Sequence, residues 1–128
     1  MKLLLDTQLL LWTAVTPGRL SAAARSLIED DGNVLTFSVV SIWETTIKAN
    51  LGRADFTVNP RSVRLALLDA GYRELEVTSA HALAVGDLPL VHRDPFDRLL
   101  LAQAMSERLE FATTDSIFAR YPVPIHLV

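Results

Sequence analysis

Four carboxylate side chains lie where the sequence predicts that a strand ends or a helix begins. Asp6 ends the apolar run LLLD, Asp115 follows LEFATT, Glu44 lies in SIWETTIK and Asp97 lies in HRDPFDRLL. If these segments form one parallel sheet with its helices, all four carboxylates belong to elements at its carboxyl edge. Crowded like charges repel one another without a counter-charge, and Mg²⁺ or Mn²⁺ prefers oxygen ligands. The joint placement therefore predicts an acidic site for a divalent cation.

Each of these carboxylates also has an ordinary structural interpretation. Asp6 and Asp115 could cap the helical segments that follow them. Asp97 lies three residues after the predicted helix cap Asp94, so it could complete a capping box or interact with the helix dipole. Glu44 has a lysine four residues later, which is the spacing of a surface ion pair. Taken singly, none of the four distinguishes a functional site from a local contact.

Several other kinds of chemistry lack their residues in this chain. The 128 residues include no Cys, which excludes disulfides, thiol nucleophiles and Cys-type zinc sites. His81, His92 and His126 do not have the spacing of a histidine metal motif. The glycine-rich nucleotide-binding loops and the G-x-S-x-G elbow of serine hydrolases do not occur. The net charge of -3 is unlike that of a typical duplex binder, but bound cations can supply the missing positive charge.

The elements that would position the acids alternate between strand and helix. Turn residues separate the segments, and Pro95 stands at the first position of the longest helix. The predicted strands are Lys2–Asp6, Val34–Phe37, Tyr72–Val77, Glu110–Thr113 and Ile125–Val128. The predicted helical segments are Gln8–Val15, Leu20–Asp30, Val39–Asn50, Arg61–Ala70, Ser79–Val85, Pro95–Arg108 and the turn Ser116–Arg120. This alternation is typical of an α/β fold with a parallel sheet covered on both faces.

Length and composition favour one folded domain over residues 1–128. Half of the residues are hydrophobic and 21% are charged, which is unlike a disordered chain. The apolar runs are far shorter than the roughly 20 residues of a spanning helix. The first residues, MKLLLDTQLLLW, contain Asp6 within the apolar stretch and no cleavage site follows. We therefore expect them to form the first strand and helix of a cytoplasmic protein.

The chain resembles a known family over almost its whole length. The segments LLLDTQLLLW, LSAAARSLI, SVVSIWETTIKANLGR, LPLVHRDPFDRLLLAQA and FATTDSIFARY occur in the order and spacing of the PIN-domain toxins of VapBC-type toxin–antitoxin pairs. The combination of WE, HRDPFDRLL and a downstream TxD is specific to such proteins. The resemblance implies a three-layer α/β/α sandwich with a central, mainly parallel sheet.

The resemblance also implies an activity and a set of site residues. An acidic quartet would bind Mg²⁺ or Mn²⁺ and hydrolyse phosphodiester bonds in RNA. Matched motif by motif, the quartet falls on Asp6, Glu44, Asp97 and Asp115. Asp6 and Asp97 are the expected direct ligands, while Asp115 and Glu44 would complete the shell or orient the attacking water. Thr7 and Thr113 match hydroxyl residues beside the acids, and Gln8 departs from the histidine of many relatives.

The same resemblance implies partners. The expected partners are an RNA substrate, a cognate antitoxin protein and a second copy of the chain in a homodimer. The apolar first helix around Leu9–Trp12 and the helix Leu65–Ala70 are candidate contact surfaces, although both could equally belong to the core.

Two other functions deserve comparison with a nuclease. A catalytically idle module of the same fold would act only by binding a protein partner, but it would need none of the four acids. A phosphatase or phospho-receiver built on Asp6 would require a second acid close by, and the following residues Thr7 and Gln8 do not provide it.

Overall fold

The structure is a computed structural model that describes residues 1–128 and contains a five-stranded sheet in which every pairing is parallel. The strands are β1 (Lys2–Leu5), β2 (Val34–Ser38), β3 (Arg73–Leu75), β4 (Glu110–Thr113) and β5 (Ile125–Leu127). Their spatial order is β3-β2-β1-β4-β5. The chain thus builds one side of the sheet from β1 outwards and then returns to add β4 and β5 on the other side.

Helices cover both faces of this sheet. They are α1 (Thr7–Ala14), α2 (Ala22–Glu29), α3 (Val39–Asn50), α4 (Pro60–Asp69), α5 (Ser79–Ala84) and α6 (Pro95–Glu107). Apolar side chains of α1, α2 and α4 form one core with the sheet, and those of α5 and α6 form the other. The fold is therefore a three-layer α/β/α sandwich, as the sequence predicted. No helix has the length and hydrophobicity that crossing a bilayer requires.

The position of β1 in the middle of the sheet explains why its three leucines are consecutive and do not alternate with polar residues. Leu3 and Leu5 belong to the core beneath α1 and α4, whereas Leu4 belongs to the core beneath α6, and all three are inaccessible to solvent. Successive side chains of a strand point to opposite faces, so a strand buried on both faces must be apolar at every position. The next residue, Asp6, still donates its backbone N–H to the Ala112 carbonyl at 3.0 Å.

A buried polar contact links α3 to α6. Ser38 caps α3, accepting the Val40 N–H at 3.0 Å, and its hydroxyl donates to Gln103 Oε1 of α6 at 2.5 Å. Gln103 is fully buried, and its amide donates to the Glu76 carbonyl at 3.2 Å. Because α3 carries Glu44 and α6 carries Asp97, this contact helps to set the relative position of two candidate site residues.

All of the predicted strands and helices are present, and their ends differ from the predicted ones by at most two residues. The largest differences are in β3 and α2, which are both shorter than predicted. The strand β3 pairs only with β2, and α2 begins after its cap Ser21. Two predicted turns, around Pro17–Gly18 and Gly86, are short 3₁₀ helices, Pro17–Arg19 and Val85–Asp87.

Candidate functional site

Asp6 lies at the carboxyl end of β1, at the point where the strand order reverses. Its Oδ1 accepts the Leu9 N–H at 2.8 Å, and its Oδ2 accepts the Thr113 hydroxyl. Asp6 therefore caps α1, as its simpler interpretation predicted. It is also buried, with only 5% of its surface exposed to solvent. Burial raises the pKa of Asp6, and the nearby charges of Asp115 and Glu44 raise it further, against the two hydrogen bonds. Asp6 is thus a carboxyl group whose ionised form lacks a compensating cation.

Asp115 lies beside Asp6 because β4 is the neighbour of β1. Its N–H donates to Thr113 Oγ1 at 3.1 Å, and Thr113 in turn donates to Asp6. The fully buried Thr113 hydroxyl therefore connects the two acids across the strand boundary. Asp115 also caps the 3₁₀ segment Ser116–Arg120 through the Ile117 N–H at 3.0 Å, and its side chain is exposed.

Glu44 lies in the middle of α3 and faces inwards. Its Oε2 contacts Lys48 Nζ at 3.0 Å, which is the predicted i,i+4 ion pair. The pair is not a surface one, since Glu44 is 7% exposed. Its other oxygen, Oε1, is buried without any hydrogen-bond partner. A buried carboxylate oxygen left unpartnered is costly, so this atom is open to a further positive group.

Asp97 lies in the first turn of α6. The cap of that helix is Asp94, which accepts the Asp97 N–H at 3.1 Å, so the side chain of Asp97 is free for another role. Asp97 Oδ2 contacts His92 Nε2 at 3.1 Å. Burial raises the pKa of Asp97 to about 6, with the charges of Asp94 and Glu44 adding to it, although the His92 hydrogen bond lowers it.

The four acids are coupled electrostatically through Glu44. Its charge raises the pKa of both Asp6 and Asp97, and the charge of Asp115 raises that of Asp6. No three of them, with or without a histidine, converge closely enough to coordinate one ion in their present rotamers. Hydrogen bonds and the ion pair described above hold each carboxylate separately. The structure brings the predicted residues to one sheet edge as neighbours rather than as a closed coordination shell.

The donor set suits a hard divalent cation. All four side chains offer carboxylate oxygens, which are the ligands that Mg²⁺ and Mn²⁺ prefer. The unpartnered Glu44 Oε1 and the buried Asp6 are two features that a cation would satisfy. The residues present therefore fit such an ion, with side-chain rotation of the kind that binding commonly induces.

A groove of about 530 Å³ lies between α1 and the end of α3; none of the four acids lines it, but two of its lining residues adjoin them. Its charged lining residues are Arg19, Lys48, Arg53 and Asp55, and Gln8 and Trp12 line it as well. Gln8 lies two residues after Asp6, and Lys48 contacts Glu44. Positive side chains thus adjoin the acidic site on this side.

Sequence reasoning missed one residue at the site. His92 was set aside because it lacks a metal-motif spacing, yet it contacts Asp97 and, through Nδ1, the hydroxyl of Tyr121 at 2.5 Å. Arg98, the residue after Asp97, contacts none of the four acids and donates instead to the carbonyl oxygens of Pro89, Val85 and Leu88.

Comparison with known proteins places the chain in a family. A family profile described as PIN domain matches residues 3–124, which is nearly the whole chain. The comparison with curated proteins gave no significant match.

Solved structures share the fold over the full length. One is VapBC2 from Rickettsia felis bound to a DNA fragment from its promoter, at 14% identity and a TM-score of 0.75, covering 100% of this chain and 99% of that one. Another is VapBC-1 from nontypeable Haemophilus influenzae, at 16% identity and a TM-score of 0.66, covering 99% of this chain and 98% of that one. A third, VapBC-5 from Mycobacterium tuberculosis, belongs to a family of toxin–antitoxin systems and has 23% identity and a TM-score of 0.61, covering 99% and 97%. At these identities the likeness establishes the fold alone.

Proposed function

The chain belongs to the PIN-domain family, and from that premise we propose that it is a Mg²⁺- or Mn²⁺-dependent endoribonuclease, the toxin of a VapBC-type pair. The observation that carries the proposal is the set of four acids at the carboxyl edge of the sheet, linked through the buried Glu44. The charge of Glu44 raises the pKa of both Asp6 and Asp97, and carboxylates with pKa values raised in this way are typical of functional sites.

The roles of the residues follow from their surroundings. Asp6 and Asp97 are the direct ligands in this proposal, because each has a raised pKa and no positively charged lysine or arginine in contact. Glu44 and Asp115 complete the site or orient the attacking water. When bound, the cation would acidify that water and offset the negative charge that develops on the phosphate. The Thr113 hydroxyl holds Asp6 and Asp115 next to each other, because it donates to the Asp6 carboxylate and accepts the Asp115 N–H.

RNA is the proposed substrate, and the groove beside the acids is the proposed path for its backbone. Arg19, Lys48 and Arg53 supply positive charge there, although the chain as a whole carries -3. A local basic groove suits a single-stranded or looped RNA, whose bases and phosphates can both be reached.

Two protein partners belong to the same proposal. Structures of similar fold come from VapBC and toxin–antitoxin complexes, which supports a cognate antitoxin for this chain. The proposed location of the pair is the cytoplasm. A homodimer would cover an apolar stripe on α3, where Trp43, Ile47 and Leu51 recur at four-residue intervals and are 56%, 38% and 64% exposed. Of the surfaces considered from sequence, Leu9–Leu11 lies in the core, whereas Leu65 on α4 is 57% exposed.

The activity is tested with the purified chain and defined single-stranded RNAs in Mn²⁺ or Mg²⁺, with and without EDTA. We expect cleavage that EDTA abolishes and that the Asp97→Asn variant lacks. Asp94→Asn is the matched control: it removes an acid from the same turn, but Asn still caps the helix, so cleavage should persist.

Cleavage that survives EDTA or the Asp97→Asn substitution would contradict the proposed mechanism. A chain that binds a protein partner but never cleaves RNA, with its four acids intact, would instead be an idle module of the same fold.

A further inference from the structure

His92 lies between a candidate metal ligand and a buried tyrosine. Its Nε2 is 3.1 Å from Asp97 Oδ2, and its Nδ1 is 2.5 Å from the hydroxyl of Tyr121, which is 4% exposed. We propose that His92 is a positioning residue: locked by Tyr121 in the Nε2–H form, it donates to Asp97 and aims that carboxylate at the cation. This inference rests on the proposed function, because it assigns His92 a role at the same site.

The hydrogen bonds around Tyr121 determine which ring nitrogen carries the hydrogen. The hydroxyl oxygen accepts the backbone N–H of His92 at 3.2 Å and Arg98 Nη1 at 3.3 Å. A tyrosine hydroxyl has two acceptor sites and one hydrogen, so these two donors leave its own hydrogen for His92 Nδ1. Nδ1 is therefore the acceptor of the neutral ring, and Nε2 carries the N–H that points to Asp97.

The arrangement is held from several sides. Arg98 is fixed by the carbonyls of Val85 and Pro89, at 3.3 and 2.9 Å, so the donor to Tyr121 is itself anchored. The His92 ring packs edge-on against Phe118 and Tyr121, with centroid distances of 5.7 and 5.4 Å. A ring restrained in this way has little freedom to turn away from Asp97.

A neutral donor is well suited to a metal-binding carboxylate. His92 is the one protein hydrogen-bond partner of the Asp97 side chain, so Oδ1 stays available. A hydrogen bond from an uncharged N–H orients the carboxylate and leaves its negative charge for the cation. Glu44 offers the contrast, since Lys48 meets it with a full positive charge. Partners of metal ligands that fix their orientation typically contribute 10- to 100-fold to metal affinity or activity.

Matched substitutions separate positioning from general stability. His92→Asn keeps a group near Nδ1 for Tyr121 but has nothing at the Nε2 position, whereas His92→Gln places an amide N–H near Nε2. We expect His92→Asn to weaken Mn²⁺ binding roughly 10- to 100-fold by titration calorimetry, and His92→Gln to restore most of it. Tyr121→Phe, which frees Nδ1, should weaken binding in the same direction.

The ring form is read directly by ¹⁵N NMR of the metal-free chain at about pH 8, above the range in which histidine usually titrates. The chain has three histidines, so the signals that disappear in His92→Asn identify His92. We expect Nε2–H in the wild type and a gain of the Nδ1–H form in Tyr121→Phe.

The outcomes separate the two claims. Wild-type His92 with its hydrogen on Nδ1, or on both nitrogens, would overturn the positioning inference. Equal Mn²⁺ affinity in wild type and in a folded His92→Asn would also overturn it, while leaving the proposed nuclease intact. A wild-type chain that binds no Mn²⁺ would overturn the proposed function and, with it, the role of His92.

Discussion

At the scale of single residues, Asp97 shows how burial couples charge to stability. Its pKa rises from 3.8 to about 6, mainly through burial. The folded chain therefore binds the proton of the Asp97 carboxyl group more tightly than the unfolded chain does. The stability that this proton contributes is fully present below about pH 4 and is lost as the pH rises to about 6. At about 1.4 kcal/mol for each pKa unit, the ionised group costs at most about 3 kcal/mol near neutral pH without a cation.

Asp97→Asn should consequently stabilise the metal-free chain at about pH 7.5 but not at about pH 4. Urea unfolding with EDTA at the two pH values measures the difference. Mn²⁺ should stabilise the wild type at about pH 7.5 and leave the variant unchanged. The same gain from Asp97→Asn at both pH values would show that its ionisation is not the cause.

Glu44 provides a second test at this scale. Glu44→Gln should abolish RNA cleavage, because the amide is a poor cation ligand, while the fold persists. Lys48→Met, which removes the ion pair at 3.0 Å but keeps the carboxylate, should retain metal-dependent cleavage, lowered only by the loss of one positive charge from the proposed RNA groove. If Glu44 mattered only through that pair, both variants would stay active.

The candidate acids could be chosen from the sequence because each follows a strand or opens a helix turn, which fixes its edge of the sheet. Most of the contacts that position those acids could not, although the i,i+4 spacing did predict Lys48 as the partner of Glu44. Tyr121 is 29 positions from His92, and nothing in the local pattern of either residue announces the contact. Only the packing of the segment after β4 against the start of α6 brings them together.

At the scale of elements, the end of α6 is a conspicuous point of backbone strain. Arg108, the C-cap, has a φ of 55° and is the one non-glycine residue with positive φ. That conformation costs an L-residue about 1 kcal/mol and is the usual place for glycine.

Arg108→Gly should therefore raise the free energy of unfolding by about 0.5–1 kcal/mol. Arg108→Ala is the control, because it removes the side chain but keeps the Cβ. Thermal or urea unfolding that ranks the alanine variant equal to the glycine variant would show that the backbone conformation is not the source of the gain.

Element types were predictable because strong local signals agree with the packing. The consecutive leucines of β1 and the cap Asp94 with Pro95 of α6 each specify their element. The third strand was predicted too long because the alternation of Tyr72–Val77 continues beyond its pairing with β2, which ends at Leu75. Pairing partners, not propensity, decide where such an edge strand stops.

At the scale of the whole molecule, the exposed stripe Trp43, Ile47 and Leu51 tests the proposed homodimer. Ile47→Glu places a charge in the stripe and should shift the chain towards monomer in sedimentation experiments. Leu65→Glu alters the exposed leucine of α4 and should leave association unchanged. The opposite pattern would place the dimer contact on α4.

The strand order is the global feature that residue patterns could not supply. Alternating strands and helices indicate a parallel sheet, but they do not reveal that β1 pairs with β4, which brings Asp6 beside Asp115. The resemblance of the motifs to PIN-domain toxins implied a three-layer sandwich with a mainly parallel sheet but not its strand order, and the structure confirms the sandwich. The carboxylates meet because non-consecutive strands are neighbours at the reversal of strand order.

The most direct measurement is the anomalous scattering of Mn²⁺ in crystals of the wild-type chain. The account predicts a peak at the carboxyl edge of the sheet, within about 2.5 Å of oxygens of Asp6 and Asp97, with Glu44 and Asp115 turned towards it. It also predicts that the peak disappears in Asp97→Asn. A Mn²⁺ ion bound elsewhere, with these four carboxylates as separate as they are now, would contradict it.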